Sequence, residues 1–210
     1  MEKMKLFFLL DCSGSMSGLE NEMIAGFNAM IAACKKMGMN TSIDTIVFDH
    51  EMKVIHEKLS LRSVGKMTKN EYYVRGTTAL YDAIGTTIIR INQKQIKKGE
   101  KPSKVLFVIV TDGMDNASQT FVLRDIKRFI TKKKTEERWQ FIFLGANIDA
   151  LQTAASLGID EEYAAAFRHD TKGVEAYFLS IQRAICLLYQ KGVIDSTWKE
   201  EVEADFKNRI

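Results

Sequence analysis

The chain alternates short, wholly apolar runs with longer stretches in which apolar residues recur every three or four positions. Residues 5–10 (KLFFLL) hold five apolar side chains in a row. A half-exposed strand would alternate, and a helix needs more length, so the run predicts a strand buried on both faces. The pattern returns at 104–110 (KVLFVIV) and 139–144 (WQFIFL). Between these runs the period changes. Leu19, Met23, Phe27, Met30, Ile31 and Cys34 fall on one helical face, and Gly38 follows as a stop. Further helices are predicted at 79–95, 120–133, 148–157, 171–189 and 196–206. Residues 41–48 and 52–57 are β-rich and meet at Asp49-His50-Glu51, which predicts a hairpin. A weak strand is expected near 163–167. Residues 59–75 show no clear period and are read as a short helix or loop.

Strands that alternate with helices imply parallel βαβ units. The expected fold is a doubly wound α/β domain of Rossmann-like form. Its central sheet is mostly parallel, with one antiparallel edge strand and helices on both faces. Pro102 is the only proline, and no low-complexity linker breaks the chain. Residues 1–190 therefore read as one domain, with 191–210 as a helical extension of it.

In such sheets ligands bind beyond the carboxyl ends of the strands. Asp11, Ser13 and Ser15 follow the first apolar run, and Asp112 follows the second. Arg75-Gly76-Thr77-Thr78 leads into the helix between them. These segments offer carboxylates and hydroxyls but no imidazole or paired thiols, a donor set suited to Mg²⁺ or Mn²⁺. Gly14 lets the backbone curl, so alternate side chains can converge. Taken alone, Asp11-x-Ser13-x-Ser15 would serve equally as the turn and cap of the following helix.

The motifs DCSGS at 11–15, TTALYDAI at 77–84 and VTDG at 110–113, in that order, resemble a von Willebrand factor A domain with a metal-ion-dependent adhesion site. The resemblance spans about residues 5–190. WQFIFLGANIDA at 139–150 is similar to stand-alone bacterial and phage members. The resemblance implies that Asp11, Ser13, Ser15, Thr78 and Asp112 hold the metal, with Thr77 the alternative to Thr78. It also implies a Mg²⁺- or Mn²⁺-dependent protein-interaction module whose partner supplies an Asp or Glu to the ion. In some members the last helix moves; here that would be residues 171–189.

An enzyme is the competing class. A strand ending in Asp suggests a metal-dependent phosphohydrolase, but Ser13 stands where haloacid-dehalogenase-like phosphatases carry a second Asp. No phosphate-loop, dinucleotide or nucleophile-elbow motif occurs.

The net charge is +3. The basic runs Lys94, Lys97, Lys98, Lys101, Lys104 and Lys127, Arg128, Lys132, Lys133, Lys134 interleave with apolar positions. They read as solvated helix faces, not as a specific nucleic-acid surface. Three widely spaced cysteines, Cys12, Cys34 and Cys186, form no disulfide or zinc pattern. The N-terminal apolar run is too short for a signal peptide or membrane span. A cytoplasmic location is expected. Cys12 should be buried and inert. Asp115 and Asn116 read as a polar turn capping the next helix, and Asp82 as a favourable charge at a helix start. His50, His56 and His169 lack a second ligand at metal spacing and read as structural or exposed.

Overall fold

A computed structural model describes residues 4–98, 104–146 and 149–209. Asn147, Ile148, Lys101 and the side chains of Lys94, Lys97 and Lys98 lie outside the described residues. Six strands form one sheet: β1 (Met4–Asp11), β2 (Thr41–Phe48), β3 (Met52–Ser60), β4 (Lys104–Thr111), β5 (Gln140–Gly145) and β6 (Ala164–Ala166). Their order is β3-β2-β1-β4-β5-β6. Every pairing is parallel except β2 with β3. The helices are α1 (Glu20–Lys36), α2 (Leu80–Lys98), α3 (Leu123–Glu137), α4 (Ala150–Leu157), α5 (Thr171–Lys191) and α6 (Glu200–Asn208).

β1 shows why the first apolar run lacks alternation. Leu6, Phe8 and Leu10 face a core layer shared with Phe27 of α1 and Tyr177 of α5. Phe7 and Leu9 face a second layer with Ile84 of α2 and Ile126 of α3. Side chains on a strand point alternately to opposite faces, so a strand covered on both sides must be apolar at every position. Trp198 and Val202, near the C-terminus, are fully buried in the first layer.

β3 runs to Ser60, three residues further than the sequence pattern predicts. Residues 61–63 form one 3₁₀ turn, and the chain then loops to α2. α3 begins three residues later than expected, at Leu123. The last predicted helix divides into a 3₁₀ turn, Ser196–Lys199, and α6.

The chain leaves β1 through α1 to β2 on one side, while β4 lies on the other. The β1–β4 boundary is thus the point where the winding reverses and the connections diverge. That divergence opens a crevice at the carboxyl edge. Among the described residues no helix is long and apolar enough to cross a membrane.

Candidate metal centre

β1 ends with Asp11, and the Cys12 amide donates to the Phe48 carbonyl of β2 at 2.8 Å. The chain then turns into the short 3₁₀ segment Gly14–Met16. The loop before α2 wraps this turn. The Gly14 amide donates to Gly76 O at 3.0 Å, and the Arg75 amide donates to Cys12 O at 2.9 Å. A Cβ on Gly14 would lie 3.2 Å from that Gly76 carbonyl, a tight contact that would push the two backbones slightly apart. Tyr72 is fully buried, and its hydroxyl donates to Asp11 O at 2.6 Å.

Asp11 is fully buried. Its Oδ1 accepts the Ser13 amide at 2.7 Å and its Oδ2 accepts the Thr111 hydroxyl at 2.5 Å. Burial pushes its carboxyl up to about 6, against the opposing pull of the Thr111 and Ser13 hydrogen bonds. The Ser13 and Ser15 hydroxyls lie 3.1 Å apart. Ser15 Oγ donates to Asp112 Oδ1 at 2.6 Å. His169 Nε2 lies 3.2 Å from Asp112 Oδ2, and the Asp112 side chain is only 4% exposed.

Thr78 is buried and Thr77 exposed. Asn116 fixes Thr78 from both sides. Its Oδ1 accepts the Thr78 amide at 2.8 Å, and its own amide donates to Thr78 O at 2.9 Å. A Cβ on Gly113 would meet Thr78 Oγ1 at 3.4 Å and Ser15 Oγ at 3.8 Å. Both hydroxyls therefore face the same small space beside the Asp112 loop. Asp11, Ser13, Ser15, Thr78 and Asp112 come together at the carboxyl edge of β1 and β4, where Thr78 is buried and its neighbour Thr77 is exposed.

The donor set is oxygen only, with two carboxylates. Among the described residues no group of three or more His, Cys, Asp or Glu gathers to hold a metal. An ion here would therefore depend on hydroxyl oxygens. Such a set fits a small, hard dication and suits soft metals poorly.

The structure revises several sequence readings. His169 is not a bystander; it touches Asp112. Asp115 and Asn116 cap the start of α2, not the next helix, with Asp115 Oδ1 accepting the Tyr81 amide at 3.1 Å. Asp82 does more than face a helix dipole. Its carboxylate accepts the amides of Gln119, Thr120 and Phe121 and so ties down the loop after β4. Cys12 is buried, and burial pushes its thiol up to about 12. His56 is buried against Phe27, their rings 6.1 Å apart. Thr111, Tyr72 and His169 were missed at the site. Thr111 had a signal, because it stands beside Asp112 at a strand end. Tyr72 and His169 lie in segments without a readable period.

No protein-family model and no curated protein sequence matches the chain. Solved structures match in fold. The PilB minor pilin from Streptococcus sanguinis aligns with a TM-score of 0.66 at 12% identity, covering 91% of this chain and 63% of the pilin. Proximal thread matrix protein 1 from the mussel byssus, in a structure with a zinc-occupied MIDAS motif, aligns at 0.60 and 13% identity. That alignment covers 88% of this chain and 46% of the mussel protein. The chain thus spans under two thirds of the length of these neighbours. At such identity the likeness establishes the α/β fold and nothing of the chemistry.

Proposed function

We propose that the chain is a Mg²⁺- or Mn²⁺-dependent protein-interaction module. In this reading Asp11, Ser13, Ser15, Thr78 and Asp112 hold the ion, and a partner's Asp or Glu completes its shell. The observation that carries the reading is the Ser13–Ser15–Asp112 chain of oxygens, with Thr78 Oγ1 beside it. A bound dication would supply a point charge with an open position for an outside carboxylate. The protein groups do the positioning. Thr111 and the Ser13 amide orient Asp11, Ser15 orients Asp112 with His169 beside it, and Asn116 presents Thr78. The all-oxygen set favours Mg²⁺ or Mn²⁺ over zinc, which prefers nitrogen and sulfur. The zinc-occupied motif of the mussel protein supports a metal-binding module in general terms. Three free cysteines among the described residues support a reducing, cytoplasmic setting.

The test is calorimetric titration of chelator-stripped protein with Mn²⁺ and Mg²⁺, with Asp112→Ala alongside and glutamate or an acidic peptide added at saturation. One-to-one binding that Asp112→Ala abolishes is expected. Equal binding by both proteins, or none with the acidic peptide present, would rule the reading out.

A second reading, a metal-dependent phosphohydrolase, draws support from one observation: His169 brings a proton-carrying group to Asp112. Release of nitrophenol from p-nitrophenyl phosphate, dependent on Mn²⁺ and lost in His169→Ala, would favour it. The thread matrix protein and minor pilin among the structural neighbours carry no enzymatic name, which supports the binding reading.

A further inference from the structure

A cavity of about 540 Å³ opens at the opposite edge of the sheet, where Lys104 begins β4 and Gln140 begins β5. This size is typical of small-molecule sites. Its walls combine charged and apolar surface: three cations, Lys104, Lys134 and Arg138, and two carboxylates, Asp160 and Glu162, against Phe141, Tyr163 and Val193. Val193 is 55% exposed. Lys104 Nζ donates to Tyr189 O at 3.1 Å, and Lys134 Nζ reaches Asp160 at 2.6 Å. No carboxylate among the described residues pairs with Arg138. Gln140 Oε1 is a buried acceptor with no hydrogen-bond partner among the described residues.

Three helices end around this cavity. α4 and α5 stop on Gly158 and Gly192, with φ of 86° and 80°. α3 stops on Arg138, with φ of 56°. Glycine is the favoured residue in that left-handed position because a side chain there is strained. The chain follows the rule at two ends and breaks it at the third, where the arginine lines the cavity. Such local violations gather at functional positions.

We propose that this cavity binds a small amphiphilic organic anion. Arg138 would pair with its acidic head, assisted by Lys134. The Phe141–Tyr163–Val193 wall would cover its apolar body. The inference does not depend on the metal centre, which lies at the other edge of the sheet.

The test uses anilinonaphthalene sulfonate, an aromatic anion with one N–H donor, followed by fluorescence on the full chain, with decanoate as competitor. Saturable one-to-one binding, displaced by decanoate, is expected. Arg138→Gly should weaken it at least tenfold while leaving the melting temperature unchanged or higher, because glycine suits the left-handed position. Asp112→Ala and chelator should change nothing. The proposal is overturned if the probe does not saturate, if Arg138→Gly binds equally well, or if chelator abolishes binding.

Discussion

His169 Nε2 stands 3.2 Å from Asp112 Oδ2, across 57 residues of chain. Asp112 is thereby held from two directions, because its other oxygen takes the Ser15 hydroxyl. One carboxylate oxygen is fixed by the Ser15 hydroxyl, and the other has the His169 ring beside it. Any ion bound here would meet an Asp112 side chain already oriented by the protein.

Thr78 and Thr77 should separate cleanly. Thr78→Ala removes a buried hydroxyl facing the Asp112 loop, whereas Thr77 is exposed. Mn²⁺ affinity should fall about tenfold or more in Thr78→Ala, roughly the 1.4 kcal/mol of one good ligand. It should stay within about twofold in Thr77→Ala. Titration calorimetry on both variants decides it.

Asp11 is a fully buried carboxylate beside Asp112, and without an ion it is poorly compensated. Asp11→Asn keeps the shape and removes the charge. Thr111 Oγ1 also lies 3.1 Å from Gly113 O, so it has another acceptor when it takes a hydrogen bond from the new amide. In chelator at neutral pH the variant should gain about 1–2 kcal/mol over wild type, the scale of relieving a buried uncompensated charge. With saturating Mn²⁺ that order should reverse, since only the wild type gains from the ion. Denaturant unfolding with and without Mn²⁺ would show the crossover.

His56 supplies a pH dependence away from the site. Burial lowers its basicity, Glu71 opposes that effect, and Lys35 adds to it. Its Nδ1 is buried with no hydrogen-bond partner among the described residues. Because the folded state resists protonation, the unfolded chain takes up the proton first. The stability from neutral His56 is therefore complete above the ordinary imidazole value of about 6.5 and is lost as pH falls below it. His56→Phe, which keeps the ring against Phe27, should flatten the melting-temperature profile between about pH 7 and pH 5. An unchanged slope would remove His56 as its source.

Gly26 of α1 packs directly against Phe178 of α5. A Cβ there would lie 2.2 Å from the Phe178 ring, itself buried. Alanine favours helices by up to about 1 kcal/mol over glycine, but overpacking a core costs about 1–3 kcal/mol. Packing should win, so Gly26→Ala should be net destabilising in urea unfolding.

The strands were legible because a strand buried on both faces writes itself as an unbroken apolar run. Asp11 and Asp112 were legible because a charge ending such a run must sit at the sheet's edge. His169 was not, because it follows the three-residue strand β6 in a turn, and nothing in local spacing ties it to a residue on β4's end. The same holds for Tyr72. Its loop has no period, and its role, one hydroxyl on the Asp11 carbonyl, exists only after the loop folds back over β1. Arg138 shows the converse. Its side chain type is visible, but its left-handed backbone is not, since sequence rules would have placed glycine there.

The hydrogen bonds from Thr111 to Asp11 and from Ser15 to Asp112 join residues 100 and 97 apart in sequence. Contacts of that span require a long loop to close, and we expect them to complete late in folding. An ion seated among them would find no landing place in the folding transition state. It would act as a brake on escape from the native state, not as a template for reaching it. In stopped-flow experiments Mn²⁺ should slow the unfolding limb and leave the refolding rate nearly untouched. The protein's lifetime, more than its speed of formation, would then track the metal supply.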